Sequence, residues 1–232
     1  MISDNIRAVR NCINAACLQS GRQAEDVTLL CVSKTKPLSC IRECIALGEV
    51  CFGENYVQEL VSKYEEIGDE IKGTGVSFHM IGHLQRNKVK YIIDKVSMIE
   101  SVDSLRLAEK INEEAGKKNI VMDILLEVNI AGEESKWGFS EEEVKSSLDD
   151  ISALKNIRVR GFMTSAPYTE NPETNRVHFR ALKTLFDSCR EKAGECFDTL
   201  SMGMTGDYSV AVEEGSTIVR VGTGIFGERN YF

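Results

Sequence analysis

The sequence predicts an α/β chain folded as a single (β/α)8 TIM-type barrel with an extra helix at its N-terminus. Two observations carry this expectation. Eight short apolar runs alternate with amphipathic stretches along the chain, the pattern of a parallel sheet closed by crossover helices. The chain has 232 residues with only three prolines (Pro37, Pro167, Pro172), and no Pro/Gly/Ser-rich linker divides it. One domain over residues 1–232 is therefore expected.

The elements follow in order. Residues 2–18 read as the leading helix, with Ile6, Val9, Ile13 and Cys17 on one stripe. Strands are expected at 27–33, 49–52, 77–81, 96–100, 122–129, 157–163, 198–201 and 217–221. Helices are expected at 38–47, 56–67, 85–93, 104–117, 141–153, 173–193 and 206–214. A short run such as Val50 to Phe52 is ambiguous by itself, and the alternation assigns it. Pro37 forbids continuation of the first strand and suits the first turn of a helix. Pro167 and Pro172 both follow the sixth strand, so a long loop is expected there. Glu141-Glu142-Glu143 reads as a solvated acidic cluster that complements a helix dipole.

Composition narrows the function classes. A hydrophobic share of 42% and a charged share of 28% describe an ordinary globular protein. The formal net charge of −8 gives no electrostatic footprint for nucleic acid, although it permits a local basic pocket. No apolar run approaches bilayer length, and Met1-Ile2-Ser3-Asp4 opens no signal-peptide core. No membrane partner and a cytoplasmic location are expected. The 8 cysteines show neither a Cys-x-x-Cys pair nor matching histidine spacing. Free thiols in a reducing compartment are expected, not zinc ligands or disulfides.

Chemistry concentrates where strands end. In a barrel the strand C-termini open on one face. Lys34 should therefore meet Gly53-Glu54-Asn55, His79, Gly82, Asn129, Met163, Ser201 to Thr205 and Gly222 to Gly224. A lysine there either flanks the strand at the surface or loses its proton by desolvation and condenses with a carbonyl. Ser201-Met202-Gly203 and Gly222-Thr223-Gly224 read as a phosphate cradle, because glycines let backbone N–H groups approach an anion. Arg220, inside the eighth strand, faces either the site or an outward ion-pair partner. His79 is either a satisfied core histidine or a ligand contact.

The stretches Ser33-Lys34-Thr35-Lys36-Pro37, Gly53-Glu54-Asn55-Tyr56, Phe78 to Lys88, Ser201-Met202-Gly203-Met204-Thr205 and Gly215 to Gly227 occur in this order. Together they resemble the signatures of the YggS/PROSC family, the pyridoxal 5'-phosphate (PLP) homeostasis proteins. The resemblance runs from about Leu29 to Gly227. It implies PLP held as a Schiff base on Lys34, with the phosphate on Ser201, Gly203, Gly222 and Thr223. It gives Asn55 the cofactor's phenolic oxygen, with a helix N-cap as the alternative. It gives Met163 the ring face, with plain core packing as the alternative. By similarity to the alanine racemase barrel, it places Arg220 against the pyridine nitrogen, which weakens the cofactor as an electron sink. Asn129 and Ser135-Lys136-Trp137-Gly138 match a further family stretch. Lys136 is thus a second candidate amine; Lys36 is a third, expected to face solvent. Thr205 stands where the family usually has serine, and Gly206 departs from the family pattern.

The resemblance implies a protein that holds, buffers and delivers PLP without robust catalysis, with apo PLP-dependent enzymes as candidate recipients; a monomer is expected. A PLP-dependent racemase is the alternative. Alanine racemase draws a catalytic tyrosine from a second domain, for which a chain ending at Phe232 is expected to have no room. A Schiff-base aldolase acting on a sugar phosphate is a third reading.

Overall fold

The computed structural model describes residues 1–133 and 136–228, so the expectation resting on Ser135 lies outside the described residues. Eight parallel strands close a barrel in sequence order: β1 (Thr28–Val32), β2 (Cys51–Glu54), β3 (Ser77–Met80), β4 (Met98–Val102), β5 (Met122–Glu127), β6 (Ile157–Met163), β7 (Thr199–Met204) and β8 (Ile218–Val221). The closing seam pairs Leu30 of β1 with Arg220 of β8. The helices of the described residues are α1 (Ile2–Gln19), α2 (Leu38–Ala46), α3 (Val57–Ile71), α4 (Val89–Ile92), α5 (Leu105–Lys117), α6 (Glu141–Ser152), α7 (Arg176–Ala193), α8 (Tyr208–Glu213) and α9 (Thr223–Phe226).

Two apolar layers hold this together. The larger lies between strands and helices; Phe52, Phe78, Phe162, Phe179 and Phe197 are its bulkiest fully buried members. The smaller joins Leu30, Cys51, Met98, Leu125, Met163 and Ile218 from six different strands. Alternate residues of barrel strands point inward, so this second layer plugs the lumen. The extra helix α1 buries Ile6, Val9, Ile13, Ala16 and Cys17. It packs against α2, α8 and α9. Its Asn5 amide donates to the Ile225 carbonyl at 2.8 Å, tying α1 to α9.

Several boundaries differ from the sequence reading. Strand β2 runs on through Gly53 and Glu54, and β7 runs on to Met204. The expected helix at 85–93 is a 3-10 turn, Arg86–Lys88, followed by the single turn α4. Helix α9 was not expected: glycines at 222, 224 and 227 conceal four helical residues. All eight cysteines are free thiols. No helix among the described residues is long and apolar enough to cross a membrane.

Candidate functional site

A cavity of about 690 Å³ opens at the C-terminal ends of the strands. Lys34, Asn55, Arg220, Gly222 and Thr223 line it together with Lys36, Lys136 and Thr205. Lys34 stands two residues beyond β1 and is half-buried.

Lys36 corrects one expectation. It does not face solvent freely: its ammonium donates to the carbonyls of Phe226 at 3.1 Å and Glu228 at 3.3 Å. A cation at the end of α9 satisfies carbonyls that a helix terminus leaves open. Lys136 is also engaged, donating to the Ser165 carbonyl at 3.1 Å and pairing with Glu133.

Asn55 does not cap a helix. The N-cap of α3 is Tyr56, and no side chain bonds there. The buried Asn55 Oδ1 has no hydrogen-bond partner, although the residue lines the cavity. An orphaned buried acceptor is costly unless something supplies a donor. Its backbone is fixed by Gly82, where an added Cβ would stand 2.3 Å from the Asn55 carbonyl oxygen.

At the opposite wall, Thr205 Oγ1 accepts from the backbone N–H groups of Gly222 and Gly224, both at 3.3 Å. This hydroxyl, with the two amides and Thr223, makes a polar corner of the kind that suits a phosphate. Ser201 is elsewhere. It is fully buried inside β7, donates to Glu100 Oε2 at 2.6 Å and accepts from Arg220 at 2.6 Å. Gly203 also lies within β7, with φ of 91°, and an added Cβ there would approach Ala211 Cβ to 2.5 Å. Its smallness serves strand–helix packing. Met163 belongs to the plug beneath the cavity. Asn129 exchanges hydrogen bonds with the Glu133 backbone and organises its own loop.

Arg220 is 4% exposed and spans the plug and the cavity. One guanidinium nitrogen donates to Ser201 and another to the Thr164 carbonyl at 2.7 Å. Glu100 lies 4.0 Å away and anchors a buried chain, accepting from His79 Nδ1 at 2.6 Å. His79 Nε2 sits 3.6 Å from the Cys51 sulfur. His79 is thus a satisfied core histidine, off the cavity wall. Burial pulls the Arg220 pKa below the usual arginine value, against the opposing pull of Glu100, Glu127 and Asp207. Burial works to raise the Glu100 pKa, yet His79, Arg220 and Ser201 hold it below the usual carboxylate value. Sequence reasoning missed Glu100, although a charged residue inside a barrel strand is the same signal that singled out Arg220.

The chain is similar to known proteins over nearly its whole length. A family model described as "Alanine racemase, N-terminal domain" matches residues 4–230. A "Pyridoxal phosphate homeostasis protein" of Aquifex aeolicus is 46% identical over 219 residues, 94% of this chain and 94% of that one. Its Escherichia coli K12 namesake is 38% identical over 99% of this chain and 97% of its own. The solved structure of PipY from Synechococcus elongatus, with PLP bound, superposes with a TM-score of 0.83. It shows 30% identity and covers 98% of this chain and 100% of that one.

Proposed function

The chain belongs to the pyridoxal phosphate homeostasis family, built on the alanine racemase N-terminal domain, and from that premise we propose that it holds PLP in this cavity and delivers it to apo-enzymes. The carrying observation is that Lys34, Arg220, Thr205, Gly222 and Thr223 line a single cavity, with Thr205 tied to the amides of Gly222 and Gly224. The orphaned Asn55 Oδ1, in a residue that lines the same cavity, fits a polar ligand. When bound, the cofactor supplies an aldehyde that a lysine amine captures reversibly. Lys34 would provide that amine. The hydroxyls of Thr205 and Thr223 would take the phosphate by charge-assisted hydrogen bonds, with the amides of Gly222 and Gly224 holding Thr205 in place. Arg220 would face the ring nitrogen and, as a guanidinium that keeps its proton, would leave that nitrogen without one.

A carrier role is supported by how the other wall groups are engaged. Lys36, Lys136 and Asp207 are hydrogen-bonded within the protein. Tyr168 is 95% exposed at the mouth. Asp207 is buried, and its two carboxylate oxygens are taken by the Asn175 amide and the Met204 N–H. We place the protein in the cytoplasm, acting as a monomer over one domain spanning 1–232.

The test has two arms. Borohydride reduction of the PLP-loaded protein, followed by peptide mapping, should place the pyridoxyl group on Lys34. Loaded protein mixed with an apo PLP enzyme should restore that enzyme's activity while turning over no common amino acid. A turnover of about 1–10³ per second on any amino acid, the ordinary enzyme range, would replace the carrier reading with a racemase-type one.

A further inference from the structure

A buried ion cluster lies behind the Lys34 turn. Lys63 of α3 is 7% exposed. Its ammonium donates to the Ser33 carbonyl at 2.8 Å, to Glu54 Oε1 at 2.7 Å and to Glu59 Oε1 at 2.7 Å. Glu54 also accepts from the Ser33 hydroxyl at 2.6 Å, and Glu59 from the Thr35 backbone N–H at 2.6 Å. Side chains of β2 and α3 therefore grip the residues on either side of Lys34.

This grip is more than the fold requires. Burying an ion pair contributes little net stability, since desolvation offsets the attraction. Burial pushes the Glu54 carboxyl above the usual carboxylate value, and its Oε2 is buried without a hydrogen bond. Thr35 holds φ of 64°, a left-handed conformation costly for a β-branched residue. Such strain persists only where the surroundings over-determine it. The cluster does so at this one turn.

We propose that Lys63, Glu54 and Glu59 are positioning residues that fix the Ser33–Thr35 turn, so that Lys34 and not Lys36 presents its amine for covalent capture. This rests on the reading of Lys34 as the cofactor's anchor. Two lysines only two residues apart both line the cavity. A turn free to rotate would blur the choice between them.

The experiment compares wild type with Lys63→Met, Lys63→Arg and the double variant Lys63→Met/Glu54→Gln. Each is loaded with PLP, reduced with borohydride and mapped, and its affinity is read from visible absorbance. The double variant removes the uncompensated buried carboxylate, which protects the fold if Lys63→Met alone fails to reach it. In Lys63→Met and the double variant, PLP should bind about 10–100-fold more weakly, by analogy with the groups that orient metal ligands. Label should spread from Lys34 onto Lys36, and Lys63→Arg should restore part of the selectivity. Label confined to Lys34 with unchanged affinity in the double variant, whatever its thermal stability, overturns the positioning role alone. Wild-type label on another lysine overturns the anchor reading and this proposal with it.

Discussion

Thr205 Oγ1 takes two backbone N–H groups at the cavity rim, whereas the Ser201 hydroxyl spends both its donor and its acceptor on Glu100 and Arg220. The two hydroxyls should therefore respond differently to removal. Thr205→Ala is expected to weaken PLP by about 10–150-fold, the roughly 1.5–3 kcal/mol of a hydrogen bond to a charged group, while leaving pyridoxal little changed. Ser201→Ala frees one Arg220 nitrogen and one Glu100 oxygen, so it should weaken both ligands alike. Titrating both ligands into both variants checks this, and a phosphate-selective loss in Ser201→Ala would return Ser201 to the cradle. Residue choice was legible to the motif but not to the atom. The seventh strand reads as ending at Ser201, yet β7 continues through Gly203 to Met204, across a register shift against β8. Three extra strand residues carry Ser201 inward and bring Thr205 to the rim. Gly82 offers a second residue-scale test. A Cβ there would collide with the Asn55 backbone, so Gly82→Ala should lower PLP affinity without removing any group that could touch the ligand.

Among the elements, α1 shows how a helix outside the barrel supports the site. Its buried stripe packs on α8 and α9, and Asn5 holds the Ile225 carbonyl just behind Gly222 and Gly224. Ile13 is 1% exposed at the centre of that stripe. Ile13→Ala should cost about 2–5 kcal/mol of unfolding free energy in urea titration, the usual range for a truncated core aliphatic. A loss under about 1 kcal/mol, typical of surface positions, would make α1 an accessory and not part of the fold. The stripe was legible because Ile6, Val9, Ile13 and Cys17 recur at helical spacing. The element α9 was not, because four residues between glycines carry no period. The Lys63 cluster was not read from the sequence. Its spacing of four from Glu59 marks a helical ion pair, but nothing local announces that Glu54 and the Ser33 carbonyl complete it.

At the scale of the whole molecule, two inward-facing groups tie the stability of the barrel to pH. Burial raises the Glu127 carboxyl from 4.5 to about 7, helped by Asp103 and opposed by Arg220. For His79, burial favours the neutral ring, yet Cys51 and Glu100 outweigh it and raise the ring from 6.5 to about 10. In both cases the folded state holds a proton that the unfolded state has released. Stability is therefore lost as pH rises, between about 4.5 and 7 for Glu127 and between about 6.5 and 10 for His79. Glu100 acts in the opposite sense: its pKa is depressed, so its contribution is lost as pH falls below the ordinary carboxylate range. The three together place maximum stability near about pH 5, on the acid side of neutrality. Urea midpoints without added cofactor should fall steadily from pH 5 through 7 to 9. Glu127→Gln should flatten the lower limb by at most roughly 3.4 kcal/mol, at 1.36 kcal/mol per pKa unit over the shift from 4.5 to about 7. His79→Gln should flatten the upper limb, since a neutral amide can donate to Glu100 at every pH. Midpoints that hold level or rise from pH 7 to 9 would mean that His79 is neutral in the fold. The chain from Cys51 to Arg220 would then carry one positive charge and one negative charge instead of two positive charges and one negative.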